Sequence, residues 1–258
     1  MKNNVLKLSV LMLMTAISPL LLTGCVSGKR SPSVELIKTP QLFTVQSLGC
    51  SNDKHPIDLY LGGSGPETIL ILATIHGDEQ AGTPLTYKLL EKLRQRGDLL
   101  ASRRILIIPV ANPDGVVRNT RGNAYGIDLN RNFQAANREN SITAGFLALS
   151  EPESKILYQL LDTYKPNRIV SIHQPLNCID YDGPAEALAY HMAAYCPLPV
   201  NKLGARPGSF GSYAGETLGI PIITMELERS DDNLDADQLW QKYGMSLMAA
   251  VMYPQAPY

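Results

Sequence analysis

The chain has no run of lysine or arginine and no interleaving of aromatic with basic residues, so nothing in it suits a nucleic-acid backbone. Its 23 basic and 24 acidic residues nearly cancel, leaving a formal charge of -1. No internal repeat and no low-complexity block is present, which argues against solenoids and repeat arrays. Histidine is scarce: four in 258 residues. That scarcity narrows any search for a metal site to a few positions. Cysteine is equally scarce. Two of the four, Cys178 and Cys196, flank one expected helix, and two readings stay open for them: a bridge, or two buried free thiols.

What is present first is an address. Lys2 and Lys7 precede an apolar run from Leu8 to Leu22, too short for a spanning helix and followed at once by small residues. The run ends Leu22-Thr23-Gly24-Cys25, which resembles a bacterial lipobox. Residues 1–24 are therefore expected to be a lipoprotein signal peptide, with Cys25 as the lipidated N-terminus. Val26 rather than an aspartate follows, which points to the outer membrane. Residues 25–40, with Ser, Lys, Arg and Pro, read as a tether. The expected location is the periplasm, with the lipid as the only membrane contact. Residues 41–258 remain for one catalytic domain, a plausible size for a single α/β unit.

Along that domain, apolar runs alternate with helical periodicity. Strands are expected at 43–48, 57–61, 69–75, 104–110, 168–172 and 221–227. Helices are expected at 79–95, 151–164, 185–195 and 235–252. Asn112-Pro113-Asp114-Gly115 is a strong turn signal. The alternation implies an α/β fold, a single domain with a mixed twisted sheet flanked by helices on both faces. In such sheets, ligands bind beyond the carboxyl ends of the strands.

The chemistry-bearing residues fall at those ends. His76-Gly77-Asp78-Glu79 follows one strand, His173 closes another, and Glu226 lies in a third. Two imidazoles and a carboxylate can hold a zinc ion with one position open. A further carboxylate beside them can move a proton. His55 and His191 read as structural or surface groups. Taken alone, His76-x-x-Glu79 is weak: a solvated loop with a carboxylate at a helix start has the same pattern.

The surrounding motifs decide between these readings. Asn112-Pro113-Asp114-Gly115, Gly126-Ile127-Asp128-Leu129-Asn130-Arg131-Asn132-Phe133, Ser171-Ile172-His173 and Thr224-Met225-Glu226-Leu227 follow His76-x-x-Glu79 in order. In that order and spacing the chain resembles the zinc carboxypeptidase family over roughly residues 40–258. Within it, Gly126–Phe133 and Arg206–Glu226 are most similar to the murein peptide amidases. Those cleave the amide between γ-D-glutamate and meso-diaminopimelate in cell-wall peptides. The resemblance implies one Zn2+ per chain, held by His76, Glu79 and His173, with Asp128 orienting the first imidazole. It implies Glu226 as general base, Arg121 as oxyanion stabiliser, and Asn130 with Arg131 as the grip on a substrate carboxylate. Arg118 competes with Arg121, and Glu228, two residues along the strand, competes with Glu226. The motif alignment selects Glu226, and Glu228-Arg229 reads as a charge pair in water.

The implied partner is a small cell-wall peptide, whose diaminopimelate side chain ends in an ammonium and a carboxylate. Arg206, Ser209 and Ser212 are candidates for the carboxylate, and Asp180 or Asp182 for the ammonium. Both segments also read as plain turns. Two departures stand out. No counterpart is found for the family's mobile tyrosine, and Tyr213 matches a different position. The family's cis bond after the last zinc histidine falls here at Gln174-Pro175, where a cis peptide is expected. Two rival functions share the pattern: an N-acyl amino acid deacylase of the desuccinylase or aspartoacylase type, and a non-catalytic murein-peptide-binding lipoprotein. The export signal argues against the first, and the intact ligand positions and Glu226 against the second.

Overall fold

The computed structural model describes residues 42–255. The signal peptide, Cys25 and the tether lie outside them. Strands run β1 (Phe43–Cys50), β2 (Pro56–Gly62), β3 (Glu67–Ala73), β4 (Arg103–Ile108), β5 (Arg168–His173), β6 (Leu176–Asp182) and β7 (Ile222–Glu228). Helices are α1 (Gly82–Leu93), α2 (Gly97–Ser102), α3 (Pro113–Arg118), α4 (Pro152–Tyr164), α5 (Glu186–Ala193), α6 (Ala236–Leu239) and α7 (Met245–Met252). None of the described helices is long and apolar enough to cross a membrane.

The seven strands form one sheet in the order β1-β2-β4-β3-β5-β7-β6. The centre, β4-β3-β5-β7, is parallel, and β1, β2 and β6 are antiparallel additions at the edges. Successive side chains on a strand point to opposite faces, and the core divides accordingly. Ile69, Ile71, Ala73, Ile105 and Ile107 pack on one side with Leu85, Leu89, Leu93, Leu188, Met192 and Leu247, from α1, α5 and α7. Leu70, Leu72, Leu106 and Ile108 pack on the other with Phe133, Phe210 and Ile156, Leu157, Leu160 and Leu161 of α4. Both faces are covered, as the apolar runs required.

Several local expectations change. The segment 79–81 is not helical; α1 starts at Gly82. Asn112-Pro113-Asp114-Gly115 opens α3, because the Asn112 side chain accepts from the Gly115 N–H and Pro113 occupies the first turn. The closing helix is divided by a π-helical turn, Trp240–Gly244. β6 was not foreseen: its two most exposed residues, Leu176 and Asn177, and its acids hide the strand pattern. Cys178 and Cys196 are both free thiols, and Cys178 is buried in β6. The Gln174–Pro175 bond is cis.

Candidate functional site

The carboxyl ends of the parallel strands β3, β5 and β7 converge on one cleft. His76 follows β3 after a turn at Thr74, which has φ 56°. A β-branched residue in the left-handed region is uncommon and strained. Here it is held by contacts from Thr74 Oγ1 to Thr83 Oγ1 at 2.8 Å and to the Glu79 carbonyl at 3.3 Å. The loop then lies against α3 so closely that a Cβ on Gly77 would meet the Gly115 backbone at 2.0 Å. Only glycine allows that approach. The loop closes with the Glu79 N–H donating to the His76 carbonyl at 3.2 Å, which puts both side chains on one point.

His173, at the end of β5, meets them there. Its Nδ1 is 3.2 Å from His76 Nδ1 and 3.0 Å from Glu79 Oε2, and Glu79 Oε1 is 2.9 Å from His76 Nδ1. All three residues are buried, and their ligand atoms lie within 4.8 Å of one another. The outer ring nitrogens are occupied: His76 Nε2 faces Asp128 Oδ1 at 3.0 Å, and His173 Nε2 faces Ser171 Oγ at 3.0 Å. Partners on the outer nitrogens aim both Nδ1 lone pairs inward, as a metal requires. Burial alone would lower the His76 pKa, but the acceptor carboxylates of Asp128 and Glu79 and their negative charge outweigh it and raise it. Burial would raise Glu79 and Asp128, yet their histidine partners, joined for Asp128 by Arg121, hold both carboxyls below the ordinary range. This is a point where positive charge is favoured. Two nitrogens and a carboxylate around it, open to the cleft on one side, fit a zinc ion.

Glu226 sits beside this cluster because β7 pairs in parallel with β5, with His173 opposite Glu226. Its carboxylate is buried and accepts from the Leu176 N–H at 3.4 Å. Burial pushes its pKa up, against the pull of His173. A buried carboxylate with a raised pKa beside a metal site is suited to proton transfer. Glu228 is elsewhere: it caps the next turn and pairs with Lys242 at 3.1 Å, not with Arg229.

Arg121 reaches the cluster from the loop after α3. Its Nε donates to Asp128 Oδ2 at 2.9 Å and its Nη1 to Glu79 Oε1 at 3.0 Å, while the side chain stays 45% exposed at the cleft. Arg118 instead pairs with Asp53 at 2.6 Å. Asp128 caps the 3-10 turn Leu129–Arg131, accepting from the Asn130 N–H at 2.9 Å. Asn130 in turn accepts from the Phe210 N–H at 2.8 Å. With its oxygen so committed, its amide NH2 is free to donate. Arg131 lines the same cleft, its pKa pushed down by burial and by the charges of Arg121 and Arg206.

The far wall contains Asp180 and Asp182 of β6 and Arg206, Ser209 and Gly211 of the following loop. Ser212 is not in the wall; its hydroxyl donates to Asn137 at 2.7 Å. Tyr213 stacks on Phe133 and Tyr158 within the core. His55 is 2.7 Å from buried Asp114, and His191 packs against Tyr195 and Tyr253. Residues that sequence reasoning left without a role include Ser171 and Gln174. Ser171 was findable, since it shares a strand face with His173. Gln174 was not: its N–H donates to Glu79 at 3.1 Å, its Oε1 accepts from Ala81, and its Nε2 donates to Glu228, all long-range contacts.

Comparison with known proteins agrees with this geometry. A model of the zinc carboxypeptidase family matches residues 35–187, which include every site residue named above up to His173. Glu226 lies beyond that match and rests on its register in β7. Murein peptide amidase A of Escherichia coli K12 is 34% identical over 195 residues, 69% of this chain and 76% of that protein. The protein of the same name from Vibrio campbellii is 31% identical over 219 residues, 77% and 83% of the two chains. Among solved structures, the murein-tripeptide amidase MpaA from Escherichia coli O157 superposes with a TM-score of 0.63 at 29% identity, over 83% of this chain and 93% of that one. A carboxypeptidase A from Helicoverpa armigera shares the fold, with a TM-score of 0.67 at 21% identity, over 83% and 70%.

Proposed function

The chain belongs to the zinc carboxypeptidase family and is a metallopeptidase; from that premise we propose that it hydrolyses cell-wall peptides at the amide between γ-D-glutamate and meso-diaminopimelate. The observation that carries the chemistry is the buried His76–Glu79–His173 cluster with Glu226 in register beside it. The likeness to murein peptide amidases over three quarters or more of their length supports the choice of substrate.

In this reading His76, Glu79 and His173 hold the zinc, and Asp128 and Ser171 fix the two imidazoles. Bound there, zinc supplies Lewis-acid activation at the scissile amide. Asn130, its amide oriented by Phe210, and Arg131 take the free carboxylate of the residue after the scissile bond. That grip sets the register of the peptide in the cleft. Glu226, kept basic and away from bulk water, accepts the proton of the attacking water and returns it to the departing amine. Arg121 stands at the open edge with its guanidinium towards the cleft, placed to stabilise the oxygen that gains charge. Lipidation at Cys25 and an outer-membrane location in the periplasm belong to the same proposal. They rest on the leader sequence and would put the cleft near its substrate.

The test is direct. Zinc-loaded protein incubated with L-Ala-γ-D-Glu-meso-diaminopimelate should release L-Ala-D-Glu and free diaminopimelate, identified by mass. Binding without cleavage would replace the enzyme with a sensor. Cleavage of N-acyl amino acids instead would replace the substrate.

A further inference from the structure

One wall of the cleft carries a buried carboxylate, Asp182, that makes no ion pair and leaves an oxygen without a hydrogen-bond partner; the only opposite charge acting on it is the more distant one of Lys202. Asp180 and Asp182 are two apart on β6, so both project from the same face, and both line the cleft. Asp180 is occupied: its Oδ1 accepts from the Leu203 N–H at 2.8 Å. Asp182 is 4% exposed, yet its Oδ1 has no hydrogen-bond partner. A carboxylate buried in a folded chain is normally paired. Burial, the neighbouring Asp180 and Glu216 push its pKa up to about 6. The nearby Lys202 does not meet it, its ammonium lying 4.7 Å from the ring of Tyr181, which packs on the other face of the sheet.

The chain makes room for this group. A Cβ on Gly211 would come within 2.3 Å of Asp182 Oδ2, and one on Gly215 within 2.6 Å of Asp182 Cβ. Two glycines therefore pack around a carboxylate that serves no turn. The contact with the Leu203 loop accounts for Asp180, but nothing comparable accounts for Asp182. Arg131 and Arg206 line the same cleft, and Arg206, exposed at the rim, is near enough to Asp180 to pull its pKa down against the effect of burial.

We propose that Asp182, with Asp180 beside it, is the counter-charge for an amine at the end of the substrate side chain, and so sets the specificity of the cleft. The proposal rests on the reading of the chain as a peptidase that grips a terminal carboxylate at Asn130 and Arg131. A side chain ending in both amine and carboxylate would place the amine at β6 and the carboxylate towards Arg206. A side chain ending in a methyl group would leave Asp182 desolvated and unpaired.

Three peptides separate the charges: L-Ala-γ-D-Glu followed by diaminopimelate, lysine or norleucine. The zinc-loaded wild type should cleave the two amine-bearing peptides with the higher kcat/KM. Asp182→Asn should lower kcat/KM for these by about 10- to 100-fold and for norleucine far less, so the lysine-to-norleucine ratio collapses. An unchanged ratio overturns the proposal, even if all rates fall. Gly211→Ala, whose backbone at φ -59° accepts alanine, displaces the carboxylate without removing it and should collapse the ratio too; its retention also overturns the proposal. Calorimetry with free diaminopimelate, lysine and norleucine reads the pocket without turnover. If no γ-glutamyl peptide is cleaved, the proposed bond fails, while amine-dependent binding lost in Asp182→Asn still supports the pocket. Equal wild-type affinity for lysine and norleucine overturns it.

Discussion

The floor and the far wall of the cleft are built on opposite terms. On the floor, no buried side-chain atom of His76, Glu79, Asp128 or His173 lacks a partner. Asp128 holds His76, Ser171 holds His173, and Gln174 and Arg121 hold Glu79. On the wall, Asp182 is as deeply buried and has an unpartnered oxygen. The carboxyls respond in opposite directions. Glu79 and Asp128 are held below the ordinary range by their partners, and Asp182 is pushed up to about 6 by burial and like charge. A floor satisfied within the protein is preorganised for a fixed task. A wall left unsatisfied is completed by whatever enters, and that is how a pocket discriminates.

The largest effect that would break this comparison is on the floor. Removing the metal with a chelator should abolish hydrolysis, and zinc should restore it; activity that survives with no metal detected would end the zinc reading. Next comes Glu226→Gln, which keeps the shape but cannot accept a proton. It should lower kcat by about 10²- to 10⁴-fold with metal content unchanged by elemental analysis. A variant that loses both metal and activity would make Glu226 part of the cradle instead of the base.

The same comparison explains what could be read from the sequence. The floor was legible because its groups follow strand ends: apolar runs of β3, β5 and β7 stop where His76, His173 and Glu226 begin. The parallel centre of the sheet and its helices on both faces followed from those runs. Of the wall, Asp180, Asp182, Arg206 and Ser209 were named only as candidates for the substrate that the resemblance implies, and all four line the cleft; β6 itself was not legible, because it is an edge strand whose Asp180 and Asp182 look like turn residues. The loop 206–211 is fixed by contacts no local pattern encodes, such as Phe210 to Asn130. Ser212 was misplaced for the same reason: only the fold shows that its hydroxyl turns to Asn137. Cys178, buried in β6, and Cys196, after α5, are both free, a choice between the two readings that spacing alone left open.

A smaller effect sharpens the floor. Ser171→Ala removes the only contact made to His173 Nε2 among the described residues. Zinc affinity should fall by about 10- to 100-fold, measured by competition with a chromophoric chelator. Hydrolysis at saturating zinc should fall much less. Unchanged affinity would mean that the serine is incidental to the imidazole's orientation.

The smallest effect is on stability, and its sign separates wall from floor. A carboxyl lowered in the folded state, as at Asp128, stabilises above the ordinary carboxylate range and loses that contribution as pH falls through its folded pKa. Asp182 does the reverse. Its folded pKa, about 6, lies above the unfolded value, so the folded state holds the extra proton between them. Stability then drops as pH rises through that window, because an unpaired charge forms in a buried place. Asp182→Asn carries no such charge. Without substrate, its Tm should exceed the wild type's by about 2–4 °C at pH 8, and the difference should shrink towards pH 5. The carboxylate would be internally paired if the wild type were the more stable at pH 8, and the wall would then be as self-satisfied as the floor. Saturating lysine or diaminopimelate should narrow the gap at pH 8 by supplying the missing cation, which norleucine cannot do.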